Sequence, residues 1–312
     1  MLALSRSDLR RVITMSEAIG LMKTAFIELS AGRASAPVRS VLDVEHGRSA
    51  LLCMPGHVPA ASSLGVKIVS YFGDNASRDL PTIHALVYLV DHETGIPLGI
   101  MDGGYVTALR TGAVSGAATD LLARPDSKVL AVIGAGVQGV TQAAAVCSVR
   151  AIERVLVHDP RPESFPRFKA AIDRDWPELG GRIEFVESAA EAVREADVIC
   201  TATTARSAVF ADADIRAGTH INAVGAFTPE MQEIPVETVI RATVVVDQLE
   251  AALSEAGDLI KPLNAGAIIV QHFSAELGQL AAGERKGRSR DDEITFFKSV
   301  GNAVQDVVVA RW

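Results

Sequence analysis

The chain has 312 residues, 48% of them apolar, enough to bury a large core and to form two domains, and too many for a small stapled scaffold. Its 30 Lys and Arg stand against 38 Asp and Glu, and this net charge of −8 argues against a role in binding nucleic acid or an anionic membrane, though a local cationic pocket stays open. The cysteines Cys53, Cys147 and Cys200 are far apart, with no disulfide or metal-ligand spacing. They are expected to be small buried apolar residues in a reducing compartment. Charges near the N-terminus and the lack of a long apolar run point to a cytoplasmic protein with no membrane partner.

The first predicted element is a helix over Ser16–Gly32, preceded by a capping box of Thr14 and Glu17 and carrying Ile19, Met22, Ala25, Phe26 and Leu29 on one face. Short β-rich runs follow at Val38–Val44, Ala50–Met54, Val66–Phe72, His84–Val90 and Ile96–Met101, which predict an antiparallel sheet. Tyr105–Ala123 reads as a helix that Pro125 stops. Strand and helix then alternate. Strands are predicted at Lys128–Ile133, Arg154–His158, Arg182–Val186, Val198–Ala202, His220–Val224 and Thr243–Asp247, with helices through Cys147, around Pro166–Asp175, after a capping box at Ser188 and Glu191, and over Leu249–Ala256. Alternation of this kind predicts parallel strands joined by crossover helices.

Gly283–Glu293 is polar and reads as an exposed connection, and Thr295–Trp312 has its apolar residues at helical spacing. This last run has no evident place in the parallel sheet and is expected to return to the first domain. The expected domains are therefore 1–124 with 294–312, for substrate binding and dimerisation, and 125–293 for a dinucleotide.

The Lys128–Ile133 strand runs into Gly134-Ala135-Gly136-Val137-Gln138-Gly139, a G-x-G-x-x-G turn opening a helix. In such a turn the first glycine makes the bend, the second lets backbone approach a pyrophosphate, and the third allows close helix–strand packing. The helix N-terminus supplies free N–H groups to the anion. Asp159 lies 20 residues beyond Gly139, at the end of the next strand, where a carboxylate accepts from the ribose hydroxyl of NAD. Arg161 could pair with a 2′-phosphate, so NADP(H) stays open beside NAD(H). The fold class expected is α/β: a Rossmann-type doubly wound parallel sheet plus an α+β domain with an antiparallel sheet.

In the first domain three cations stand out: Arg39 after Ala36-Pro37, Lys67 inside the apolar run Gly65–Val69, and Arg110 in Leu109-Arg110-Thr111. A lysine in a β run is costly to bury unless it meets an anion, and an edge-strand lysine facing water is the plainer reading. Together with Met54-Pro55, Asn75 before Leu80-Pro81, Asp91 with Thr94-Gly95, the glycine turn, and Lys298-Ser299-Val300-Gly301 with Asp306, these motifs make the chain resemble the ornithine cyclodeaminase/μ-crystallin family over essentially its whole length. The resemblance implies an NAD(P)-dependent homodimer. It also implies that Arg39, Lys67 and Arg110 hold a substrate carboxylate, with Lys67 and Arg110 catalytic and Asn75 and Thr82 nearby. Cofactor contacts are implied at Thr111, Thr203, Val224 and Ser299 as well as along the glycine turn.

One departure from the family pattern is informative. Where cyclodeaminases and alanine dehydrogenases of the family carry Gly-x-Asp-x-Pro-Gly-Lys, this chain has Gly225-Ala226-Phe227-Thr228-Pro229-Glu230. Phe227 cannot pair with an ammonium or take a proton, and it favours a compact apolar ring. The expected substrate is a cyclic imino acid, Δ1-pyrroline-2-carboxylate or its six-membered analogue, reduced to L-proline or L-pipecolate. Two alternatives remain: amine chemistry with Glu230 or Glu233 replacing the missing acid, and a nucleotide-binding protein without turnover. His57 and His84 read as structural residues, and no histidine pair has metal-ligand spacing beside a carboxylate.

Overall fold

The computed structural model describes residues 1–44, 48–78 and 80–312. It divides into two compact units, residues 1–110 with 302–312 and residues 111–301. The sequence places these limits at 124/125 and 293/294. Among the described residues no helix is long and apolar enough to cross a membrane.

The first unit is built on a six-stranded sheet in the order Leu2–Leu4, Pro97–Asp102, Ile83–Val90, Ser63–Phe72, Ser49–Val58, Ser40–Asp43. Its neighbours pair antiparallel except Leu2–Leu4, which runs parallel to Pro97–Asp102, so the sheet is mixed. Alternation sends Met54, Lys67, Val87 and Met101, a direct cross-strand row, to the buried face. The helices Met15–Ser30 and Ala303–Arg311 pack against each other, and both pack on this sheet. Thr14 and Glu17 form the expected capping box on the first of these helices. The N-terminal strand and the Arg6–Val12 helix, capped by Ser5 and Asp8, are too short to show a hydrophobic period in sequence.

The opposite face of the sheet carries Leu42, Leu51, Ile68 and Leu86 exposed, with Cys53 beside Ile68. Cys53 is therefore exposed and not the buried apolar residue expected, because its neighbour Met54 takes the inward position; Cys200 is buried and Cys147 lies between.

The second unit contains an eight-stranded, wholly parallel sheet in the order Phe273–Glu276, Thr243–Val246, Thr295–Lys298, His220–Ala223, Val198–Thr201, Val129–Ile133, Arg154–His158, Ile183–Phe185. This is the doubly wound order, with its switch point between Val129–Ile133 and Val198–Thr201. Thr295–Lys298 corrects one expectation: it is a central strand, not the start of a helix. Four consecutive buried residues satisfy a helix period and a doubly buried strand equally well, and pairing on both edges decides for the strand. The helix begins only at Ala303. The Ser188 hydroxyl caps its helix as expected, while Glu191 turns to the Glu187 N–H instead of closing a box.

Candidate functional site

The dinucleotide features gather at the carboxyl ends of the parallel strands. Gly134 adopts φ 108°, and a Cβ there would lie 2.6 Å from the Ala202 carbonyl oxygen. A Cβ on Gly139 would meet the Gly134 carbonyl oxygen at 2.1 Å. Both glycines are required by the chain's own packing. Gly136 is different: it is the N-cap of the Val137–Val149 helix, and a Cβ there would find no atom within 4 Å. Nothing in the protein explains its lack of a side chain, whereas a pyrophosphate drawn to the free N–H groups of this helix does. The residues present fit a dinucleotide.

Asp159 is buried; its Oδ2 accepts from Ala135 N–H (3.0 Å) and its Oδ1 from Arg161 N–H (2.9 Å) and Nε (3.3 Å). The Arg161 side chain is otherwise well exposed. Val137 and Gln138 open the helix, Val137 exposed and Gln138 half-buried. Thr203, Val224 and Ser299 each follow a strand at the same edge, and Thr111 accepts from Gln142 Nε2 through its carbonyl (3.1 Å).

Three further buried carboxylates brace these loops. Glu233 Oε1 accepts from Thr203 N–H (2.7 Å), and its Oε2 accepts from Gly225 N–H (2.8 Å) and Ala226 N–H (3.1 Å). Burial pushes its carboxyl above the usual range, and the Lys298 charge opposes that rise. Behind it, Lys298 and Asp258 form an ion pair at 2.9 Å, and Asp258 Oδ1 accepts from Glu233 N–H and Ile234 N–H. Asp247 Oδ2 accepts from the Ser299 hydroxyl (2.7 Å), Val300 N–H (2.9 Å) and Gly301 N–H (3.1 Å). Glu233 is thus a clamp across the loops at Thr203 and Gly225, and its engaged oxygens leave it unsuited to stand in for the missing acid. Phe227, on the loop it holds, is 42% exposed.

In the first unit the structure brings Lys67 and Arg110 together on one anion. Lys67, on the buried face of the sheet, has its Nζ 2.7 Å from Asp306 Oδ2, and Arg110 has its Nε 3.1 Å from Asp306 Oδ1. Arg110 also donates through Nη1 to Gln305 Oε1 (2.8 Å). Burial lowers the Lys67 ammonium to about 8; Asp306 opposes this, and the charges of Arg110 and Arg39 add to it. Arg39 therefore belongs to the same electrostatic neighbourhood, and the water-facing reading of Lys67 is excluded.

Asn75 lies apart from this group in its bonding: its Nδ2 donates to the Pro81 carbonyl, a turn-closing role. Thr82 continues the sheet, its carbonyl accepting from Phe72 N–H. Asp247 and Asp258 are not among the residues the sequence singles out; Glu233 enters there only as an alternative acid, and Asp306 only as part of the family motif. Their signal in the sequence is faint: a single acid or base inside an otherwise apolar run, as with Asp306 between Val304 and Val307. Among the described residues no group of three His, Cys, Asp or Glu is placed to hold a metal.

The sequence profile of the ornithine cyclodeaminase/mu-crystallin family matches residues 1–312. A Δ1-pyrroline-2-carboxylate reductase of Bacillus thuringiensis subsp. konkukian is 40% identical over 314 aligned residues, covering 100% of this chain and 95% of that protein. A solved Δ1-pyrroline-2-carboxylate reductase of Thermococcus litoralis, in complex with NADH and L-proline, superposes with a TM-score of 0.94 at 45% identity over 100% of this chain and 95% of that one. A solved archaeal alanine dehydrogenase dimer with bound NAD has a TM-score of 0.91 and 37% identity over 100% of this chain and 94% of that one.

Proposed function

Because the chain belongs to the ornithine cyclodeaminase/mu-crystallin family, we propose that it is an NADH-dependent imine reductase converting Δ1-pyrroline-2-carboxylate to L-proline. The observation that carries this reading is the buried surplus of positive charge: Lys67 and Arg110 around the single carboxylate of Asp306. A second, small carboxylate completes the balance, and the substrate brings one.

The glycine turn, Asp159 and the loops at Thr203, Val224 and Ser299 would hold NADH, which when bound would supply hydride. Arg110 and Lys67 grip the substrate carboxylate, a fork and a point charge that fix the adjacent ring carbon in position and orientation. The cyclic iminium is already electrophilic at that carbon. Its C=N bond becomes C–H and N–H without any residue having to take a proton from an amine, which agrees with Phe227 in place of an acid. Thr111 supports the cofactor side, and Asn75 and Thr82 shape the substrate side. Arg161, exposed beside Asp159, would meet the 2′-phosphate of NADP(H) if that cofactor is also used.

The apolar outer face of the mixed sheet, with the cross-strand pairs Leu42–Leu51 and Ile68–Leu86 exposed on it, is covered by a second copy, making a homodimer. The enzyme works in the reducing cytoplasm, where its free cysteines stay as thiols.

Following NADH oxidation with the five- and six-membered imino acids, beside NAD⁺ reduction with L-ornithine and L-alanine, tests the assignment. Turnover of the five-membered ring is expected to dominate. Ornithine-dependent ammonia release, or saturable NADH binding with no turnover of either ring, would overturn it.

A further inference from the structure

Among the buried groups around the substrate cations, the one without a role so far is the anion. Asp306 is fully buried, and its two oxygens are divided between Lys67 Nζ (2.7 Å) and Arg110 Nε (3.1 Å). Its neighbour Gln305 accepts from Arg110 Nη1 (2.8 Å) with the same oxygen that accepts from Asn302 N–H (2.8 Å) in the capping box of the last helix. The first turn of this helix therefore grips the guanidinium by Nε and Nη1. The Nη2 group takes no part in that grip.

We propose that Asp306 is the positioning residue of the carboxylate site, fixing Lys67 and Arg110 as a rigid pair and holding Lys67 as the ammonium that substrate binding requires. The proposal takes from the imine-reductase reading only the identity of the ligand. The charged groups facing Lys67 are Asp306 from the last helix, Arg110 from the Gly103–Leu122 helix, and Arg39 from the segment before the Ser40–Asp43 strand. Burial, Arg110 and Arg39 all disfavour the ammonium, and Asp306 opposes them. Removing its charge takes away the interaction that favours the ammonium. A neutral amine at Lys67 then offers a carboxylate no ion pair.

A bystander role for Asp306 predicts the opposite. If it merely cancelled part of the positive charge, neutralising it would increase the surplus and tighten binding of an anionic substrate. Position and protonation, on the other hand, predict weaker binding with a shifted pH dependence.

The experiment compares wild type, Asp306→Asn and Lys67→Arg. The Lys67 titration is followed by NMR of its Cε and Nζ nuclei without substrate, assigned by its loss in Lys67→Arg, and kcat/KM for Δ1-pyrroline-2-carboxylate is measured against pH. In wild type a basic limb is expected near pH 8. Asp306→Asn should lower the Lys67 titration by roughly 1–3 pH units and raise KM at pH 7.5, with partial recovery at pH 6. Lys67→Arg, whose guanidinium keeps its charge, should lose the enzyme's basic limb. Should Asp306→Asn not fold, Asp306→Glu takes its place: it keeps the charge but moves it by one methylene, so KM should rise while Lys67 stays an ammonium at pH 7.5. An unshifted Lys67 titration or tighter substrate binding in Asp306→Asn, or an unchanged KM in Asp306→Glu, overturns the proposal. Because the NMR titration needs no turnover, a wild type inactive on imines would sink the functional reading and leave this one standing.

Discussion

Both units bury several charges, and they do so to opposite ends. In the dinucleotide unit the oxygens of Glu233 and Asp247 are engaged mostly by backbone N–H groups, and Asp258 accepts two N–H groups through Oδ1 and pairs with Lys298 through Oδ2. In the other unit two buried cations, with Arg39 adding its field, share the one carboxylate of Asp306. Buried carboxylates engaged by backbone N–H groups hold loops in place. Two buried cations on one carboxylate are costly, because desolvating an incompletely paired charge costs several kcal/mol, and a bound anion offsets that cost. The difference separates scaffold from site more sharply than residue type does.

The contrast can be broken most directly at Arg110. Arg110→Leu should lower kcat/KM for the imine by roughly a hundred- to a thousandfold, the effect of truncating one partner of a buried charged contact, while fluorescence titration shows NADH binding unchanged. Glu233→Gln should do its main damage to stability. Both carboxylate oxygens accept N–H groups, so either orientation of the amide sets a donor against a donor. A loss of about 3 kcal/mol, read as a fall of roughly 6–10 °C in Tm, is expected.

The buried histidine of the scaffold adds an effect that shows only on acidification. His220 is held neutral, its pKa lowered to about 3 by burial first and the nearby Arg288 charge second, with its ring nitrogens on Thr295 and Asn222. A depressed value means that the unfolded chain takes up the proton first. Its stabilisation is therefore complete above pH 6.5 and lost as pH falls toward 3, at about 1.4 kcal/mol per pH unit. Urea unfolding between pH 7 and 4 should show this slope, and His220→Gln should flatten it.

The glycine turn sharpens the same comparison at finer scale. Gly136→Ser should leave stability within about 0.5 kcal/mol of wild type, since serine is a good N-cap and a Cβ meets nothing there. It should still raise the KM for NADH on the order of tenfold, about 1.4 kcal/mol. Gly139→Ala should fail the other way, losing stability because its Cβ strikes the Gly134 carbonyl.

Much of this was legible before any coordinates. The alternating strands, the G-x-G-x-x-G turn with Asp159, and the capping box at Thr14 are local patterns whose period and spacing express backbone geometry directly. Lys67 was visible as an anomaly, a charge in an apolar strand. The pairing was not, because Asp306 lies 239 residues away in sequence, and the motif that contains it does not say which cation it meets. The carboxylate clamps were hidden for the same reason: what they bind is backbone N–H, which every residue carries and no residue type announces.

Thr295–Lys298 shows where local reading ends. Its apolar residues fit a helix as well as a strand, and only the edges offered by His220–Ala223 and Thr243–Val246 select the strand. Composition, period and motif spacing were enough for the doubly wound architecture, the dinucleotide turn and the three candidate cations. Which buried charges are satisfied and which are left in surplus was settled by tertiary structure alone, since electrostatic balance depends on distance in space and the chain brings those distances into being only when it folds.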